Sequence, residues 1–277
     1  MKKIAVIPNQ TKDVGLHVTK RLIAALENKA EIYMNEFYKD CGLSACYLGD
    51  ELYEIADCVV VIGGDGTILQ AAEPCAKRHI PIMGINMGHI GFMTEIEKDE
   101  IEEAARRLLC GDYKIEERMM MKISICRGAG EGTVYYALND AVVSKSSAEM
   151  LALELYKEDE KVNEYIADGV IIATPTGSTA YSLSAGGPVA DPTMEMFIAT
   201  PICAHMLSSR CAILSASNKI SVRVMQRGGD DAIVTIDGQI KEHITHGERV
   251  VLSKAEEKVK LIKMGTQSFY DIMIQKL

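Results

Sequence analysis

The sequence predicts a two-domain chain: a three-layer α/β N-terminal domain with a Rossmann-like parallel sheet, then a mainly β C-terminal domain. Three observations carry this prediction. In the first hundred residues, short β-branched runs alternate with helix-period segments, as strands buried between two layers of helices do. After about residue 115 the helical segments thin out and period-two stretches take over. A Gly/Asp-rich turn joins a buried strand to a helix in the first part, and a run of small and hydroxyl residues follows a strand in the second.

Taken in order, Ile4 to Ile7 is a short apolar strand closed by Pro8-Asn9. Val14, Val18, Leu22 and Leu26 recur at helical spacing. Cys58 to Ile62 is an unbroken, largely β-branched run, a strand with both faces covered. A helix begins near Thr67, Pro81 to Asn86 supplies a further strand, and Glu97 to Leu109 is a charged amphipathic helix with Gly111 as its C-cap. Met119 to Cys126, Val134 to Leu138, Leu151 to Tyr156 and Val170 to Ala173 then read as strands, with Glu158 to Lys161 a solvated hairpin turn. Ile220 to Val224 and Ile233 to Ile236 alternate as half-buried antiparallel strands do. The expected domains are residues 1–115, completed by the apolar final segment 260–277, and 116–259.

Composition narrows the functional classes. With 48% hydrophobic and 25% charged residues over 277 positions, the chain has the make-up of a globular enzyme. Its formal charge of −9 leaves no basic surplus to neutralise a nucleic-acid backbone. No stretch approaches the roughly 20 apolar residues of a membrane span. The apolar run after Met1-Lys2-Lys3 is too short for a signal peptide, so a cytoplasmic protein is expected. The eight Cys include no C-x-x-C pair and several sit in apolar runs, which favours buried reduced thiols.

Gly63-Gly64-Asp65-Gly66-Thr67 follows the buried strand and precedes a helix. Glycines let a backbone approach a ligand closely, and the helix start offers unpaired N–H groups suited to phosphate. The turn has neither the Gly-Lys-Ser/Thr of a P-loop nor the G-x-G-x-x-G dinucleotide fingerprint. Asp65 repels a phosphate, so its presence points to a chemical role, either as proton acceptor from an attacking hydroxyl or as ligand to a Mg²⁺ that accompanies a nucleotide. A plain helix cap is the alternative. The turn resembles one shared by NAD kinases, by diacylglycerol and sphingosine lipid kinases, and in related form by phosphofructokinases.

The run from Asp168-Gly169 through Thr174-Pro175-Thr176-Gly177-Ser178-Thr179-Ala180-Tyr181-Ser182-Leu183-Ser184 to Gly186-Gly187-Pro188 is a β-branched strand followed by many short donors and acceptors. It resembles the signature of NAD kinases, which the lipid kinases and phosphofructokinases lack. Gly84 to Thr94, Asn139-Asp140, Thr200 to Arg210 and Asp237-Gly238-Gln239 resemble further blocks of that family, in the family's order. The resemblance implies phosphoryl transfer from ATP, or another nucleoside triphosphate or polyphosphate, with Mg²⁺ or another divalent cation, to the adenosine ribose 2′-hydroxyl of NAD. Asp65 would be the base, with Gly63, Gly64, Gly66 and Thr67 at the donor phosphates. Asn139, Asp140 and Asp168 would hydrogen-bond the dinucleotide. Thr179, Ala180, Tyr181, Ser182, Leu183 and Ser184 would line its site, and Gln239 would approach from the later turn. The first domain would bind the donor, the second NAD, and the assembly would be a homodimer or homotetramer.

Two departures bear on this picture. Asp140 replaces the family's usual Glu and reaches one methylene less far. Ile166, which the resemblance also places near the dinucleotide, stands where many relatives carry Arg or another polar residue, and loss of that contact leaves acceptance of NADH beside NAD open. His205 is expected to pack, and His243-x-x-His246 lacks further ligands at metal spacing. The rival readings are a lipid kinase sharing the turn, which would want a basic or apolar membrane-facing surface, and a dinucleotide sensor, which would have no use for Asp65.

Overall fold

The structure, a computed structural model, describes residues 2–88, 91–127, 132–205, 209–225, 231–265 and 267–276, without the side chains of 240 and 241. Parts of two expected blocks, His89-Ile90 and Met206 to Ser208, lie outside the described residues. The elements are β1 (Lys2–Pro8), α1 (His17–Leu26), β2 (Ala30–Asn35), β3 (Cys46–Leu48), α2 (Leu52–Ile55), β4 (Cys58–Gly63), α3 (Asp65–Lys77), β5 (Ile82–Asn86) and α4 (Ile101–Cys110). There follow β6 (Lys114–Cys126), β7 (Thr133–Ala137), β8 (Asp140–Lys145), β9 (Leu151–Lys157), β10 (Glu160–Ala167), β11 (Gly169–Ala173) and α5 (Tyr181–Ser184). The last are β12 (Met196–Ile202), β13 (Ala212–Ser215), β14 (Ile220–Met225), β15 (Ala232–Ile236), β16 (Gln239–Ile244), β17 (Arg249–Lys263) and α6 (Phe269–Lys276). The chain divides into two compact units, one of Met1–Arg118 with Glu257–Leu277 and one of Met119–Glu256.

In the first unit β5, β4, β1, β2 and β3 lie side by side and parallel, with Leu261 of β17 joining the edge beside Ile82. All six residues of β4 are buried, as its β-branched sequence requires. Leu22 and Leu26 of α1 and Ile101, Ala104 and Leu108 of α4 pack against Ile4, Val60, Ile62 and Met83 on one face. On the other, Ile68 of α3 lies against Gly84, which gives the three layers. Gly111 takes φ 75° and ends α4 as expected. Val14 is a correction: it is 71% exposed, because Gly15 and Leu16 take positive φ and break the period. The α-helix starts only at His17, where Asp13 accepts from Val18 N, Thr19 N and the Thr19 hydroxyl.

The second unit is a sandwich. One sheet runs β10, β9, β14, β17 with antiparallel neighbours, with β6 beside β17 and β7 antiparallel beside β6. The other is β13, β12, β11, β8, β15, β16, antiparallel throughout. Leu153, Tyr165, Val222 and Leu252 of the first meet Val143, Ile172, Phe197 and Val234 of the second in one core. The outer face of the second sheet carries Val142, Ile171 and Ile198, covered by Ala190 and the chain around it. The cysteines differ from expectation. Only Cys58 and Cys75 are buried, where burial pushes both thiols up to about 12. Cys41, Cys46, Cys110 and Cys203 are exposed, because they stand in turns or at element ends.

Candidate active site

In an open parallel sheet, ligands gather at the carboxyl ends of the strands. Asn9 follows β1, Gly63-Gly64 closes β4, and Asn86 ends β5. Asn9 N donates to Ile62 O (2.7 Å), Met87 N to Gly63 O (2.7 Å), and the Asn9 amide to the Thr67 hydroxyl (3.0 Å). The sequence-predicted Gly63, Gly64, Gly66 and Thr67 are thus together, with Gly66 exposed at the start of α3 and Thr67 buried. Lys12 was not expected here, yet a Cβ on Gly64 would lie 2.8 Å from its Nζ. This exposed ammonium beside a phosphate-type turn is a counter-charge that no motif in the sequence marks.

Asp65 is half-buried and does not cap its own helix. Its Oδ2 accepts from Phe92 N (2.8 Å) and its Oδ1 from Met93 N (3.1 Å), Thr94 N (3.1 Å) and the Thr94 hydroxyl (3.2 Å). Four donors therefore converge on one carboxylate and fix its orientation. The turn approaches so closely that a Cβ at Gly91 would sit 2.0 Å from Asp65 Oδ1, so only glycine fits.

A second carboxylate does the same in the other unit. Asp237, at φ 47° beside Gly238 at φ 78°, forms the tight turn between β15 and β16. It accepts from Leu138 N (2.8 Å), Asn139 N (2.8 Å) and Asp140 N (3.0 Å). The backbone of Asn139 and Asp140 is thereby pinned, while neither side chain has a hydrogen-bond partner among the described residues. Asp140 is buried, which pushes its carboxyl up to about 7, and the charge of Asp237 adds to the push. Asn139 O accepts from Thr174 N (2.8 Å) and lies 2.1 Å from where a Cβ on Gly177 would stand, so this motif glycine is fixed by backbone approach.

The hydroxyl-rich run divides into inward and outward members. Ser178 exchanges hydrogen bonds with Ala190, and Ser182 shares one with Thr200 (2.9 Å); both are fully buried. Thr179, Ala180 and Leu183 are half-buried, whereas Ser184 and Tyr181 are exposed, Tyr181 at 48%. Gln239 is exposed at the start of β16, two residues from Asp237. Asp168 and Ile166 stand apart from Asn139. Asp168 precedes β11 while Thr174 follows it, so the strand separates them by about 20 Å at 3.4 Å per residue. Asp168 pairs with Lys145 (2.7 Å), and half-buried Ile166 accepts at its carbonyl from His205 N (2.8 Å). His205 and His243 are exposed, and among the described residues no three His, Cys, Asp or Glu side chains gather for a metal.

A parallel sheet with a glycine-rich turn and a fixed carboxylate at its strand ends suits a phosphotransferase of the kinase class, the class that the resemblance of the turn implies. The comparisons with known proteins sharpen this. Residues 12–113 match the ATP-NAD kinase N-terminal domain and residues 138–264 the ATP-NAD kinase C-terminal domain. The chain is 40% identical to the NAD kinase of Caldanaerobacter subterraneus subsp. tengcongensis, covering all of this chain and 99% of that one. It is 39% identical to a Clostridium botulinum NAD kinase, over 100% and 96% of the two chains. An Archaeoglobus fulgidus NAD kinase solved in complex with ATP superposes with a TM-score of 0.77 at 27% identity, covering 99% and 98%. The yeast NADH kinase complexed with NADH shares the fold at a TM-score of 0.89 and 21% identity, covering 100% and 87%. The chain belongs to the NAD kinase family.

Proposed function

We infer that this chain phosphorylates NAD, transferring the γ-phosphoryl group of ATP to the 2′-hydroxyl of the adenosine ribose and giving NADP. The observation that carries the chemistry is the Asp65 carboxylate, held by four donors in a glycine-rich turn. The full-length similarity to NAD kinases supplies the acceptor and sets the lipid-kinase alternative aside. Both matching domain models are named for ATP, which favours it over polyphosphate as donor.

Phosphoryl transfer asks the protein for positioning and charge stabilisation more than for covalent chemistry. The N–H groups at the start of α3 and the Lys12 ammonium suit the donor phosphates. A carboxylate has about four lone-pair sites. Among the described residues, Oδ1 of Asp65 already takes three hydrogen bonds and Oδ2 one, so Oδ2 is the atom with capacity for the ribose proton. As the bond from the 2′-oxygen to γ-phosphorus forms, the bond from γ-phosphorus to the β-bridging oxygen breaks, and the hydroxyl proton passes to Oδ2. A Mg²⁺ would enter with the triphosphate. It would offset charge on the donor, with no protein cage required.

In the second unit the Asn139 amide and Asp140 carboxyl, unpartnered among the described residues, suit ribose or amide groups of the dinucleotide, and Tyr181 offers a ring face to a base. Thr179, Ala180, Leu183, Ser184 and Gln239 are the accessible remainder of that surface, with Ser182 bracing it through Thr200. Asp168 and Ile166 would meet a different part of the ligand from Asn139. Among the described residues no helix is long and apolar enough to cross a membrane; a cytoplasmic homodimer or homotetramer is the assembly we propose. Purified protein given ATP, Mg²⁺ and either NAD or diacylglycerol vesicles tests the reading. NADP from the first mixture supports it, and phosphorylated lipid without NADP would refute it.

A further inference from the structure

The turn that orients Asp65 has no regular secondary structure of its own. Residues 91–95 lie outside every helix and strand. On one side they are held by the four hydrogen bonds to Asp65. On the other they are held by the last stretch of the chain. Glu95 forms an ion pair with Lys263 (2.6 Å) and accepts from Met264 N and from Gly265 N (2.8 Å). The Phe92 ring stands 5.5 Å from the Phe269 ring of α6, tilted by 42°, and 4.8 Å from the Lys276 ammonium one helix length on.

The α6 helix is built to hold that position. Ser268 and Asp271 form a reciprocal cap, with Asp271 Oδ2 accepting from Ser268 N (2.8 Å) and Asp271 N donating to Ser268 Oγ (3.1 Å). Only Ile272 of the helix is fully buried, so its own packing gives it little reason to be ordered apart from what it touches. Its Phe269 ring touches Phe92, and among the described residues Phe92 N is the one donor to Oδ2, the oxygen with room for the substrate proton.

We propose that the last helix is a positioning element for the reaction, with Phe269 acting through Phe92 to aim the Asp65 carboxylate. Phe269 is a positioning residue and reaches no substrate. This rests on the reading of Asp65 as the base. Losing the ring contact frees the turn by a fraction of an ångström to an ångström, a displacement that costs turnover rather than ground-state binding.

The test is a kinetic cycle on the full chain with ATP and NAD. Phe269→Ala should lower kcat about 5- to 50-fold while KM for each substrate stays within about twofold, and Phe269→Leu should restore most of the loss. In an Asp65→Asn background, where no base is left to aim, adding Phe269→Ala should change kcat by less than about twofold although it lowers the melting temperature as before. Equal losses of kcat in both backgrounds would show that Phe269 does not act through Asp65 and would overturn the proposal alone. So would unchanged kcat in Phe269→Ala, or a rise in KM without loss of kcat. Near-normal turnover of Asp65→Asn by itself would remove the base assignment and the proposal together.

Discussion

Replacing Asp65 by Asn perturbs one oxygen and leaves the side chain's size almost unchanged, and the structure gives two separable consequences. Oδ1 remains an acceptor for Met93 N, Thr94 N and the Thr94 hydroxyl, but an amide NH₂ now faces Phe92 N–H, donor against donor. Flipping the amide is worse, since the NH₂ would then face three donors. Losing one hydrogen bond to a charged group costs about 1.5–3 kcal/mol. At roughly 2–4 °C per kcal/mol for a chain of this size, the melting temperature should fall by about 3–12 °C. Losing the base should independently lower kcat by about 10²–10⁴. A thermal melt followed by circular dichroism reads the first, and a coupled NADP-forming assay below the melting range reads the second. An unchanged melting temperature would refute the hydrogen-bond account of the turn. A lowered melting temperature with near-normal turnover would make Asp65 a brace and nothing more.

Other perturbations have equally definite outcomes. Tyr181→Ala removes a half-exposed ring, so KM for NAD should rise roughly 5- to 150-fold, at 1–3 kcal/mol for a lost base stack, with KM for ATP and the melting temperature little changed. A parallel rise in both constants with a lower melting temperature would make the ring structural. Gly177→Ala drives a Cβ to 2.1 Å from Asn139 O, so KM for NAD should rise and the protein should melt earlier; normal values for both would refute the close approach. Asp140 has a carboxyl pushed up to about 7 in the fold, so between about pH 4 and 7 the folded state binds more protons than the unfolded one. Its contribution to stability therefore falls as pH rises through that window. Asp140→Asn should flatten that part of the pH–stability curve, and identical curves for the two proteins would contradict the assignment. As its carboxylate is the form that accepts from ribose hydroxyls, KM for NAD should also rise below pH 7 in the natural chain and lose that dependence in Asp140→Asn.

How much of this was legible in the sequence depended on whether the cause was local. The β4 strand, the glycine turn and α3 could be read because a β-branched run, two glycines and a helix start are neighbours in the chain. Gly111 could be read as a cap for the same reason. The partners of Asp65 could not, since its donors come from residues 27 to 29 positions away and reach it through backbone N–H groups that carry no side-chain signal. Asp237 is the same case at 97 to 99 positions, hidden in an Asp-Gly pair that marks only a turn. Lys12 was invisible because an isolated Lys after a strand has no pattern. Asp168 and Thr174 look adjacent in one motif, yet the strand between them sets them about 20 Å apart.

The central claim is that the acceptor is one particular hydroxyl of NAD, attacked with help from Asp65. It is tested most directly by phosphorus NMR of the product formed from NAD, ATP and Mg²⁺. The account predicts one new phosphomonoester resonance coupled to the adenosine ribose 2′ position, absent when Asp65→Asn replaces the natural chain over the same reaction time. A phosphate on any other hydroxyl, or no nucleotide product while a lipid acceptor is phosphorylated, would contradict it.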